Sequence, residues 1–119
     1  MSVLVGSLLK IIEVAGESIL TLTEGVDPEE FFNSRITQME VMNQLRVMAE
    51  SSSNFPIEHK ANMAEIDWAG WTMLNMQLKT AGGFERDAVW FAVRSLVPAT
   101  LMWLRVFRQN SPELFAIKP

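Results

Sequence analysis

Apolar residues recur at helical spacing from the start of the chain: Leu4, Leu8, Ile12, Ala15, Ile19 and Leu22. Lys10, Glu13, Glu17, Thr21 and Glu24 fill the other side, so the pattern predicts an amphipathic helix of about six turns, ended by Gly25. Asp27-Pro28-Glu29-Glu30 supplies an N-cap, a proline at the first helical position and acids in the first turn. It predicts a short helix over Pro28–Asn33. Ser34 can cap the next helix, Arg35 to Ser52, whose apolar stripe is Val41, Met42, Leu45, Met48 and Ala49. The Ser51-Ser52-Ser53-Asn54 cluster stops it. Phe55-Pro56 opens a turn or two through Lys60. Asp67 caps a further helix running to about Lys79, Ala81-Gly82-Gly83 breaks the chain, and Glu85 to Gln109 reads as one last long helix. No segment alternates with a period of two, so no β-sheet is expected and the fold class is all-α.

The last helix departs from a simple amphipathic pattern. Trp90, Phe91, Val93, Leu96, Val97, Leu101, Trp103, Leu104, Val106 and Phe107 lie nearly all the way round it. A helix apolar on more than one face must bury more than one face, and a second subunit is the simplest cover for the spare one. Trp90, Trp103 and Phe107 are the expected interface anchors. Pro98 should kink the helix, because it removes a backbone donor and its ring crowds the preceding turn.

Composition narrows the classes. A chain of 119 residues, 49% hydrophobic and 20% charged, is a single globular domain. The expected boundaries are a helical domain over 1–110 and a C-terminal tail over 111–119. There is no cysteine, which excludes disulfides, thiolate chemistry and cysteine-based zinc sites. The apolar start lacks a basic leader region and a small-residue cleavage site, and no uninterrupted apolar run reaches membrane-spanning length; a cytoplasmic protein is expected. The net charge of −4 is unevenly spread. Glu13, Glu17, Glu24, Asp27, Glu29 and Glu30 crowd the first third, and Arg94, Arg105, Arg108 and Lys118 the last. That polarity could orient a partner or favour antiparallel self-association, or reflect ordinary solvated faces.

Several short strings, taken together, resemble the HepT-like branch of the HEPN family. They are Glu29-Glu30-Phe31 after the first helix, Thr37-Gln38 opening the next long helix, and an apolar ladder (Val41, Leu45, Val47) ending in Ala49-Glu50-Ser51. Ala64-Glu65-Ile66-Asp67-Trp68 keeps the Glu, Ile and Trp of a family "PEIPW" string. Val89-Trp90 is followed by Val97-Pro98 at the spacing where the family has a leucine-proline pair. The resemblance runs from about Ile11 to Leu104. It implies an up-and-down four-helix bundle that forms a symmetric homodimer, with a minimal nucleotidyltransferase as partner in a toxin–antitoxin-like system.

The family's chemistry rests on an Arg-X4-His-X-Tyr pattern between those last two landmarks. Histidine moves protons near neutral pH, arginine holds phosphate, and the tyrosine accepts AMP from the partner enzyme. This chain departs from the pattern. Counted from Trp68 the three positions are Asn75, Thr80 and Gly82; counted back from Trp90 they are Leu74, Lys79 and Ala81. The single histidine, His59, lies upstream, and there is no tyrosine. Asn75, Lys79 and Thr80 are the degenerate site positions, able at most to contact a phosphate. Glu50 could face a bundle groove or solvent. No cofactor or metal is expected, and RNA is not an expected partner.

Three functions follow. The first is a non-catalytic, homodimeric interaction module. The second is a ribonuclease toxin with an altered site. The third is a stand-alone helical protein whose groove takes a small ligand, with eight methionines as an adaptable lining.

Overall fold

The structure, a computed structural model, describes residues 3–80 and 86–116, and these form helices and no strand. In chain order they are α1 (Val3–Thr23), α2 (Pro28–Asn33), α3 (Arg35–Ser53), α4 (Ile57–Asn62), α5 (Trp68–Lys79), α6 (Arg86–Phe91), a π-helical turn (Ala92–Leu96), α7 (Val97–Asn110) and a 3-10 turn (Pro112–Phe115). The Ala81-Gly82-Gly83 break and Glu85 fall outside the described residues.

The caps read from the sequence are made. Asp27 accepts from Glu30 N–H at 2.8 Å, Ser34 from Thr37 N–H at 3.4 Å and Asp67 from Gly70 N–H at 2.9 Å. Each satisfies one of the donors that a helix start leaves open. Gly25 leaves α1 with φ +70°.

α3 packs against both α1 and α5, and α7 against α1. The α3 stripe is buried as expected at Val41, Met42, Leu45, Met48 and Ala49. In α1 the buried row is Val5, Leu9, Ile12, Ala15 and Ile19, while Leu4 is 55% exposed. The expected row starting at Leu4 and Leu8 is thus rotated by one residue at its N-terminal end. The reason is the chain's other end: the 3-10 turn packs on α1 and α7, with Phe115 buried and Leu114 half-buried against the core. The carbonyl of Ala116 lies 2.2 Å from where a Cβ on Gly6 would stand. Only glycine admits that approach, so this stretch of the tail is a docked element.

The last helix runs without interruption from Arg86 to Asn110, but contains the π-helical turn just before Pro98. Val97 N–H bonds the carbonyl of Ala92, five residues back. The expected disturbance at Pro98 therefore takes the form of one widened turn. That turn also explains the buried row Val89, Val93, Val97 and Leu101. A spacing of four drifts about 40° per step round an α-helix, and an extra residue in one turn takes back roughly 100°. All four side chains can then face the core. On the neighbouring line Trp71 is fully buried, and its indole N–H donates to Thr100 Oγ1 at 2.9 Å; Thr100 in turn donates to the carbonyl of Leu96 at 2.7 Å. By length and mean hydropathy the Arg86–Asn110 helix could cross a membrane, and 44% of the relevant window is buried within the protein.

The C-terminal turn is held by one buried aromatic ring, Phe115, and the half-buried Leu114, a small anchor for six ordered residues. A clash at Gly6 should therefore release the turn before it unfolds the rest. We expect Gly6→Ala to abolish amide-exchange protection over 112–116 and to lower global stability by about 1–3 kcal/mol. Full protection with an unchanged denaturation midpoint would contradict a close approach of the tail to Gly6.

Candidate functional site

The degenerate motif positions lie on the C-terminal half of α5. Asn75 is half-buried, and Lys79 and Thr80 are exposed. Thr80 Oγ1 bonds back to the carbonyl of Met76 at 2.8 Å, and Thr80 N–H to that of Gln77 at 3.3 Å. These are the satisfactions of a helix end, so the hydroxyl closes α5 as its C-cap. The positions matching Gly82 and Ala81 lie outside the described residues. Glu50 is exposed near the end of α3.

His59 belongs to a separate cluster at the opposite end of α5. It sits edge-on to Phe55, with ring centroids 6.3 Å apart, and Phe55 stacks on Trp68 at 5.0 Å. Lys60 lies over the Trp68 ring at 5.7 Å, and the Trp68 indole donates to the carbonyl of Met63 at 3.0 Å. From Trp68 to Lys79 the helix climbs roughly 16 Å, so the one histidine is not brought to the motif positions. Among the described residues no group of three or more His, Asp or Glu converges as a metal site.

Two of the arginines of the last third, Arg94 and Arg108, make separate intrachain contacts. Arg94 donates to the carbonyl of Val26 and lies 4.6 Å over the Trp90 ring. Arg108 pairs with Glu13 and lies 4.4 Å over Phe115. One acid of the first third is thus matched to one base of the last within the chain. Arg86 covers Phe32 at 4.3 Å.

The three anchor candidates are half-buried and packed on the core. Trp90 touches Phe31 and Phe32 at centroid distances of 5.4 and 6.2 Å, and Trp103 touches Phe107 at 6.3 Å. The exposed apolar surface lies beside them, on Phe91 (59% exposed) and Met102, and on Met73 (65%) and Met76 (66%) of α5. Helical periodicity could not single these out, because it places a residue on a face without saying which face the fold covers.

Phe91 and Met73 border a cleft of about 290 Å³ between α5 and the start of the last helix. Asp67, Gly70, Leu74 and Gln77 line one wall, and Ala88, Ala92 and Leu96 the other. The small residues Gly70, Ala88 and Ala92 leave space between the walls unfilled, and the Trp71–Thr100 bond joins the two helices. Two larger depressions, beside Glu13, Glu17 and Glu40 on α1 and α3 and beside Lys60 and Trp68, are broad and shallow. Among these surfaces the α5 cleft is the most enclosed and has the strongest apolar lining. In α3, Ser52 and Ser53 hold buried hydroxyls with no hydrogen-bond partner among the described residues.

If Lys79 and Thr80 are surface positions and Asp67 is a structural cap, their stabilities separate. Lys79→Ala should change unfolding free energy by less than about 0.5 kcal/mol, and Asp67→Ala should cost about 1 kcal/mol. Chemical denaturation of the two variants beside the parent checks both. A large loss in Lys79→Ala would mean that the lysine holds something in place.

Compared with known proteins, the chain matches no family model, no curated protein and no solved structure.

Proposed function

We propose that this protein is a non-catalytic, HepT-like interaction module: an up-and-down four-helix bundle that works as a homodimer. On this reading its partner is a minimal nucleotidyltransferase of a toxin–antitoxin-like system. The observation that carries the proposal is an exposed row of uncharged residues, bounded by Asp87 at one end and Arg105 at the other. Phe91, Ser95, Ala99 and Met102 form an exposed row along the last helix, and Met73 and Met76 stand on the adjoining α5. Elsewhere the exposed apolar residues are interleaved with charge: Ile11 and Val14 with Lys10 and Glu13, and Ile36 and Met39 with Arg35 and Glu40. Interface cores are depleted in charge and enriched in Phe and Met, so the α5 and last-helix face is the one suited to a second copy.

Two further features support a binding role over chemistry. The motif positions form an exposed helix end, and the histidine lies at the far end of the same helix. General acid–base work needs a titrating group within reach of the reacting atoms.

Sedimentation at micromolar concentration should give a dimer. Phe91→Asp, which would place a carboxylate inside the interface, should weaken it by roughly a hundredfold or more while the helical circular dichroism stays unchanged. A monomeric parent protein would end the homodimer reading. Incubation with cellular RNA, and separately with ATP and a cognate nucleotidyltransferase, should leave the RNA intact and the protein unmodified. RNA cleavage lost in Lys79→Ala, or AMP found on Thr80, would establish a rebuilt site instead.

A further inference from the structure

The cleft between α5 and the start of the last helix has a chemistry of its own, although its rim residues Phe91 and Met73 also belong to the face proposed above for a second copy. Its middle is apolar, formed by Leu74, Ala88, Ala92 and Leu96 with Met73 and Phe91 at the rim. Its polar lining groups, Asp67 and Gln77, belong to α5 and are separated by roughly 15 Å of helix. Asp67 is the one charged residue among those lining it. One Asp67 oxygen accepts from Gly70 N–H, while the other, Oδ2, would lie 2.4 Å from a Cβ on Gly70. Gly70 itself lines the cleft. Asp67 is exposed and borders both this cleft and the shallow depression beside Lys60 and Trp68, and its Oδ2 occupies space that any other residue at position 70 would fill. Among the described residues it has no ion-pair partner.

We propose that this cleft binds a small amphiphilic amine, with the alkyl chain along Leu74, Ala88, Ala92 and Leu96 and the ammonium on Asp67 Oδ2. The volume sits at the low end of the range for small-molecule sites, roughly 300–1,000 Å³, which fits a slender chain and excludes a large ring system. Unbranched methionine at the rim adapts to such a chain. A carboxylate alone at the polar end selects for a cation and against a fatty acid. An ammonium–carboxylate contact is the stronger, charge-assisted kind of hydrogen bond.

The test uses the full-length protein titrated calorimetrically with octylamine, octanol and octanoate below their aggregation concentrations. Octylamine should bind saturably at one site per chain, about tenfold more tightly than octanol, and octanoate should not bind. Asp67→Asn keeps a good helix cap and should bring octylamine down to the level of octanol. Ala88→Leu should fill the cleft and remove both. Glu24→Gln, remote from the cleft, should change nothing, which separates the site from general attraction of amines to an acidic protein. Any of four results overturns the proposal: octanoate binding as well as octylamine, no saturation, indifference to Ala88→Leu, or an equal loss in Glu24→Gln. Sedimentation of the same samples reports the dimer separately, so either reading can fail alone.

Discussion

Four side chains spaced by four along one helix cannot all face the same direction if the helix is a regular α-helix. Val89, Val93, Val97 and Leu101 do so here because one turn between them is π-helical. α1 packs on α7 and on the π-helical turn, the later part of this row. Pro98 makes the accommodation cheap. It offers no N–H to the preceding turn in either register, so widening that turn gives up less backbone hydrogen bonding than it would elsewhere. Packing, rather than local propensity, chooses the backbone form.

Just past that turn, Thr100 donates its hydroxyl to the carbonyl of Leu96 while accepting from the Trp71 indole. A buried indole N–H without a partner would cost about 1–3 kcal/mol, so this bond fixes where α5 meets the last helix. Small residues then line the gap between them, at Gly70, Ala88 and Ala92, and a cleft remains. Phe91, just before the π-turn, stands outward at its rim, while Trp90 turns the other way onto Phe31 and Phe32.

Much of this was legible in the sequence, for identifiable reasons. Helix starts at Pro28, Arg35 and Trp68 follow from capping side chains that act on donors three residues away, a local signal. The α3 stripe is regular, and its burial follows from its period. What depends on distant partners was not legible. The one-residue rotation at the N-terminal end of α1 is imposed by Ala116 and Phe115, more than a hundred positions away, and neither Gly6 nor the tail announces the other. The last helix looked apolar on nearly every face partly because a spacing of four was read against a helix of uniform pitch. With the π-turn in place, much of that surplus is covered within the chain, Phe91 and Met102 are exposed, and Trp90, Trp103 and Phe107 stay half-buried. The candidate site fared similarly. Asn75, Lys79 and Thr80 could be placed on one helix end by counting, but their exposure and the separation of His59 from them are matters of packing.

Exposed polar residues at a helix end cost little stability, and Thr80 is one, its hydroxyl closing the last turn of α5. The apolar cleft and the uncharged face beside it differ in kind, since exposed methionine and phenylalanine gain nothing from water and invite association. A protein retains such surface when something covers it. On the two helices that frame the cleft, Asp67 at the start of α5 is a cap by geometry and the one charged residue at the cleft's border.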